Sequence, residues 1–114
     1  MNPQIGLPVE NRYKKDGKAL VSKIMVNDKD LKESILKAVD LIGGFRKVVE
    51  KGDVIWLKPN FNTADPPPAS SDPEFVKVVI ELLYQNGASQ VVLGESSMLS
   101  LSTRKVLKET DMLK

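Results

Sequence analysis

Four consecutive apolar residues, Val54-Ile55-Trp56-Leu57, stop abruptly at Lys58-Pro59-Asn60, and few folds can use such a run. It is too short for a buried helix, and it lacks the alternation of a strand with one wet face. It reads as a strand covered on both faces, the place of a central strand in a parallel sheet. A side-chain period of two puts Val54, Trp56 and Lys58 on one side and Ile55 and Leu57 on the other. Parallel strands need crossover connections, normally helices. The flanking sequence offers them.

Upstream, Leu31, Ile35, Ala38, Val39 and Ile42 recur on one helical face. Asp30 and Glu33 have capping-box spacing, with Asp in the role of Ser or Thr. Gly43-Gly44 supplies a left-handed stop, and a short helical turn over residues 45–53 closes at Gly52. Downstream, Asp72 is a good N-cap and Pro73 suits the first helical position. The stripe Phe75, Val76, Val79, Ile80, Leu82 and Leu83 follows, and Gly87 ends it. Residues 90–95 (QVVLGE) read as a strand, and a last helix begins near Ser100 or Ser102. Residues 19–26 (ALVSKIMV) read as the first strand, with Lys23 pointing to an edge place or a wet face.

The expected order is β-α-β-α-β-α. This is an α/β chain, either three-layered or an open two-layer Rossmann-like unit, with a small parallel sheet and right-handed crossovers. Residues 1–18 contain Pro3, Gly6, Pro8 and Gly17 without a sustained period, and read as an irregular leader. Residues 19–114 read as a single α/β domain.

Composition narrows the chemistry. With 41% apolar and 28% charged residues, the chain is an ordinary globular sequence rather than a disordered one. It contains no Cys and no His. Structural zinc, thiolate-held iron–sulfur clusters, Cys nucleophiles and Ser–His–Asp relays are therefore outside its means. Any acid–base work falls to Lys, Asp, Glu or Tyr. The net charge of +2 is too small to argue for nucleic acid. The basic excess lies in the N-terminal half, including Lys14, Lys15 and Lys18, and reads as a solvated leader. There is no apolar run of membrane-spanning length and no signal-peptide core, so a cytoplasmic protein without membrane partners is expected.

Ligands of open α/β sheets bind outside the carboxyl ends of the strands. One such end delivers Lys58 and Asn60, another Gly94, Glu95, Ser96 and Ser97, and the helix start adds Ser70, Ser71 and Asp72. Parallel strands would bring all three groups to one edge. Lys58 would supply a point charge and three donors, and Asn60 could donate and accept at once. Helix N-termini near Asp72 and Ser102 would favour an anion, and Gly94 would let a ligand approach the backbone. Glu95 could bind a sugar hydroxyl, pair with Lys58, or hold a hydrated Mg²⁺ with Asp65 or Asp72. The run Pro66-Pro67-Pro68 favours a stiff, extended arm.

Architectural readings stand beside these. Lys58 can snorkel along Trp56, Asn60 can be a turn residue, Asp72 a cap, and the serines loop and capping residues with no base to activate them. Trp56 reads as core rather than as a stacking platform. No dinucleotide fingerprint and no Walker-type phosphate loop is present. The candidate ligand set is Lys58, Asn60, Ser71, Asp72, Glu95 and Ser96, with a phosphate-bearing small molecule as first choice. No catalytic residue and no metal site are assigned.

The segments AVDLIGGFRKVVEKGDVIWLKPNFN and SSDPEFVKVVIELLYQNGASQVVLGESS, with the spacing between them, resemble the domain-of-unknown-function family three-hundred-sixty-two. Its members show a helix ending in Gly-Gly, then Gly-Asp, an apolar strand closing in Lys-Pro-Asn, a Thr/Ser-x-Pro helix start, and a strand closing in Gly-Glu/Asp-Ser. The likeness covers about residues 19–110. Many members are longer and continue into a Cys-rich, ferredoxin-like segment that binds iron–sulfur clusters. The resemblance therefore implies the N-terminal part of such a protein, or a short stand-alone version, with a cluster only in a missing C-terminal region. The likeness ends at Glu109–Lys114, where the family's helix and sheet continue. The family has no settled general activity, so no catalytic role carries over. The positions matching its polar motifs are Lys58, Asn60, Ser71, Asp72, Glu95 and Ser96.

With the most apolar strand central and the Lys23 strand at an edge, the strand order is sequential and both crossover helices share one face. The other face then needs a cover, supplied by the leader, the last helix, a missing C-terminal domain or a second copy. A homodimer or a truncated chain is expected. The leading functional reading is an anion-binding α/β domain. Its rivals are an interaction or scaffold module, a part of a larger iron–sulfur redox protein without activity of its own, and an enzyme using a desolvated Lys58 as base or nucleophile.

Overall fold

The computed structural model describes residues 10–26 and 30–113. Its centre is a pair of parallel strands, β3 (Val54–Leu57) and β4 (Gln90–Leu93), in the register Val54↔Gln90 to Leu57↔Leu93. The ladder continues past the strand ends, where the Gly94 N–H donates to the Leu57 carbonyl at 2.9 Å. Helix α2 (Pro73–Gln85) makes the crossover between the two strands. The Asp72 carboxylate caps it by accepting from the Glu74 N–H at 2.8 Å, with Pro73 in the first turn. It stops at Asn86-Gly87, and the φ of +112° at Gly87 is one that glycine adopts freely.

Helix α1 (Leu31–Asp40) precedes β3 and packs against α2. Its N-cap Asp30 accepts from the Glu33 N–H at 2.9 Å, the N-cap half of the expected capping box. Gly43 and Gly44, both at positive φ, end it, and a 3-10 turn at Phe45–Lys47 leads toward β3. Helix α3 (Thr103–Glu109) follows β4.

Two apolar clusters lie on the α2 side of the sheet. One joins Ile35, Phe45, Val49, Leu82, Leu83 and Ala88 to Ile55 and Val91. The other joins Phe61, Val76 and Val106 to Leu57, Ile80 and Leu93. Helix α2 feeds both, which is why its apolar stripe is so broad. Among the described residues no helix is long and apolar enough to cross a membrane.

The structure departs from the sequence reading in three places. Residues 20–26 form no strand; only Ala19 of the expected 19–26 run is in one, paired in a small antiparallel hairpin, β1 (Lys14–Lys15) and β2 (Lys18–Ala19). The expected β-α-β-α-β-α order is thus present from α1 onward, without its first strand. The reason is that alternating apolar residues favour an extended backbone but cannot provide the neighbouring backbone that makes it a strand. The hairpin lies inside the supposedly irregular leader, its turn built on Asp16 (φ 51°) and Gly17 (φ 74°). Asp-Gly is a standard two-residue hairpin turn, masked here because lysines rather than alternating apolar residues flank it. Third, β3 is covered on one face only. Trp56 is 75% exposed and Val54 53% exposed, so Trp56 is not core. The run of four apolar residues reflects β-propensity on an open face as well as burial.

This division sets an expected mutational pattern. Leu82, buried between helices and sheet, should lose about 3 kcal/mol on Leu82→Ala. Trp56→Thr, on the open face, should stay within about 0.5 kcal/mol of wild type. Urea unfolding of both variants checks the assignment of the two faces.

Candidate functional site

The two strand tips lie side by side because β3 and β4 are adjacent and point the same way. The tie between them is the Glu95 carboxylate, whose side chain is 1% exposed. Its Oε2 accepts from the Phe61 N–H at 2.7 Å, and its Oε1 accepts from the Ser96 N–H at 2.8 Å and from Lys58 Nζ at 3.0 Å. Burial by itself would raise the pKa of this carboxyl. The donors from Phe61, Ser96 and Lys58 outweigh it and hold Glu95 below the ordinary glutamate value.

The loop after β3 is pinned at several further points. Phe61 is fully buried, and its carbonyl accepts from Ser97 Oγ at 2.7 Å. The Ser97 N–H in turn donates to Thr103 Oγ1 at 3.0 Å, linking the β4 tip to the start of α3. On the other side Asn60 and Ser71 are joined twice. The Asn60 N–H donates to Ser71 Oγ, and the Ser71 N–H donates to the Asn60 carbonyl, both at 2.8 Å. Buried Ser70 donates to the Thr63 carbonyl at 3.0 Å. The proline arm between Asn60 and Ser71 is thereby closed into a staple across the top of α2.

A cavity of about 360 Å³ opens beside this staple. Leu57, Phe75, Val76 and Val79 form its apolar wall, and Lys58, Pro59, Asn60 and Ser71 its polar rim. Of the six residues nominated from sequence, three therefore share one cavity: Lys58, Asn60 and Ser71. Glu95 and Ser96 do not line it; Glu95 is tied to its rim through Lys58 and through the N–H of Phe61, the residue after Asn60, and the Ser96 N–H shares the Glu95 oxygen that Lys58 Nζ meets. Asp72 does not line it and is engaged as the cap of α2. Gly94 is a close neighbour of Trp56, where an added methyl would rest against the indole at an ordinary 3.6 Å.

The carboxylates Asp65, Asp72 and Glu95 are each occupied separately, Asp65 by Thr63 Oγ1 at 2.6 Å. Among the described residues no cluster of three or more His, Cys, Asp or Glu is arranged to hold a metal ion. This chain, without cysteine, offers no thiolate ligand. Lys58 is 72% exposed, so the desolvation on which a nucleophilic lysine relies is missing.

Sequence reasoning passed over Phe61 and the apolar wall. Phe61 was detectable as the lone apolar residue between Asn60 and Asn62 in a polar loop. Phe75, Val76 and Val79 were assigned wholly to the helix stripe, whose N-terminal end extends past the sheet and lines the cavity.

Fold and site together define a small mixed α/β protein with an apolar-walled, polar-rimmed crevice between the β3 tip and the start of α2. The chain belongs to the family described as Domain of unknown function (DUF362), whose model matches residues 55–114. The match begins in β3 and takes in the whole Lys58–Glu95 apparatus, while α1 and residues 19–26 precede it. No curated protein and no solved structure matches the chain.

The buried carboxylate predicts an acid sensitivity. A glutamate ionised more easily in the folded state adds stability that is complete above its unfolded-chain pKa, about 4.3. That stability is lost as pH falls from there through the lower folded-state value. Urea midpoints measured from neutral pH down to acid should fall for wild type over this window, and the Glu95→Gln profile should be flatter. Glu95→Ala should cost about 2–3 kcal/mol at neutral pH, because the buried Phe61 N–H is left without its acceptor. Lys58→Ala, removing the exposed partner, should cost about 0.5 kcal/mol.

Proposed function

We propose that this DUF362 domain binds a small anionic ligand in the crevice at the β3 tip, as part of a Rossmann-like sheet. The observation that carries the reading is the convergence of Lys58, Asn60 and Ser71 on one cavity with an apolar wall. Small-molecule sites have this make-up: mostly apolar surface with a few placed polar groups. Lys58 has three donors, of which one is directed at Glu95 and one at the Pro59 carbonyl, so a third remains for a ligand. Glu95 plays a supporting part, fixing Lys58 and the Phe61 backbone rather than touching the ligand. Because Glu95 neutralises Lys58, attraction is short-ranged and ionic strength weakens binding only modestly. The apolar wall favours a phosphate or carboxylate attached to an apolar or flat body over inorganic phosphate.

A scaffold reading has one specific observation in its favour, the open sheet face with Trp56 and Val54 exposed. That face is opposite the α2 side on which the crevice lies, so the two readings concern different surfaces.

The test is a titration of the ¹⁵N-labelled protein with inorganic phosphate, nucleotides and aryl carboxylates. The expected result is saturable shifts at Lys58, Asn60 and Ser71, strongest for nucleotides or aryl anions and weakened about tenfold in Lys58→Ala. An absence of saturable shifts at these residues across the panel overturns the anion reading.

A further inference from the structure

We propose that residues 20–26 add to the free edge of β3 as a third strand, parallel to it. The inference rests on the Rossmann-like reading of the sheet but is independent of any ligand. The first support is the edge itself. Asp53 and Leu57 direct their carbonyls to the β4 side, where Ser89 and Gly94 donate to them. Backbone groups alternate along a strand, so Val54 and Trp56 direct their N–H and C=O to the opposite edge. Among the described residues, β3 pairs with β4 alone. Two strands are a poor sheet by themselves, and an unpaired edge invites a partner.

The second support is the state of the segment. Leu20, Ser22 and Ile24 are half-buried while Val21, Lys23 and Met25 are exposed, a strict period of two without a ladder. Val21 is 87% exposed and Met25 88%. The segment is thus already patterned as a strand, with one side toward the protein.

The third support is direction. Ahead of this stretch the chain is held beside the 3-10 turn that follows α1. Arg12 donates to the Lys47 carbonyl at 3.2 Å, and Lys47 Nζ stands 5.2 Å from the centre of the Tyr13 ring. Further on, Ile24 and Met25 share a hollow with Asp30, the N-cap of α1, and with Glu33, Ser34 and Lys37 along the helix. The chain from Tyr13 to Met25 therefore runs opposite to α1. β3 runs opposite to α2, since its start adjoins Gly87 after α2 and its tip adjoins Ser71 before α2, and α1 heads toward the same end as α2, since Phe45 and Val49, which follow it, pack with Leu82, Leu83 and Ala88 at the end of α2. Helix α1 lies against α2 and shares its apolar cluster with Ile55, which is the sheet face a right-handed crossover requires. In the docked state Leu20, Ser22 and Ile24 continue the helix-covered face beside Ile55 and Leu57. Val21, Lys23 and Met25 continue the open face beside Val54 and Trp56.

The chain has no cysteine, so introduced pairs report cleanly. Lys23→Cys is combined in turn with Val54→Cys and with Trp56→Cys, exposed positions on the same expected face. The control is Lys23→Cys with Val92→Cys, a whole strand farther away. Adjacent strands lie about 4.8 Å apart, within disulfide reach, and next-nearest ones do not. The expected result under mild oxidation is an intramolecular disulfide in a β3 pair and none in the control. No disulfide in either β3 pair, or covalent dimers alone, overturns the proposal; the latter outcome would give the edge to a second copy. Amide exchange supplies a second readout without ligand: Val54 and Trp56 should exchange about tenfold more slowly in wild type than in Ile24→Pro. Equal rates contradict docking. Neither measurement depends on the anion titration, so the two ideas fail separately.

Discussion

One buried carboxylate organises the strand-tip end of this protein. Glu95 places an oxygen on the Phe61 N–H across the gap between two loops, and its other oxygen on its own neighbour Ser96 and on Lys58. Removing a carboxylate from water is costly unless its lone pairs are satisfied, and here three donors do so. The arrangement requires that β3 and β4 be parallel neighbours, because only then do Lys58 and Glu95, 37 residues apart, meet at the same end. The exposed ammonium contributes little to stability in high-dielectric surroundings. The backbone N–H of a fully buried phenylalanine contributes more, because it has no water to turn to.

From that tie the rest of the crevice follows. Fixing Phe61 orders the residues before it, so that Asn60 meets Ser71 and closes the proline arm over α2. The same phenylalanine anchors the second apolar cluster, which joins α3 to the sheet. The polar rim and the apolar wall are thus set by one packing unit. This argues for a preorganised pocket, one whose ordering cost is met in folding rather than on binding.

The sheet has a well-built side and a bare one. α1, α2 and α3 all contribute to clusters on one face, and Val54 and Trp56 remain in solvent on the other. An apolar run is ambiguous on this point. Valine, isoleucine and tryptophan suit a strand for their shape as well as for their burial, so the run at 54–57 could not disclose which face would be covered.

The helices and their boundaries were legible in the amino-acid order, because caps are local. Asp30, Asp72, Gly43 and Gly87 act on backbone groups within a few residues of themselves. Strand directions followed from the helix between β3 and β4, since a crossover of that length connects parallel strands, and with them the meeting of Lys58, Asn60 and Ser71. The division of labour among the polar residues did not follow. In the amino-acid order Glu95 is one candidate group among six, and only the fold shows it buried beneath Lys58; Asp72 reads first as a cap, and its carboxylate does accept from the Glu74 N–H. The sequence by itself determined where backbone hydrogen bonds begin and end, a matter of near neighbours. Only the tertiary structure decided which carboxylate is buried and which face of the sheet is bare. Burial depends on residues far apart in the chain, and their meeting is written in no single stretch of it.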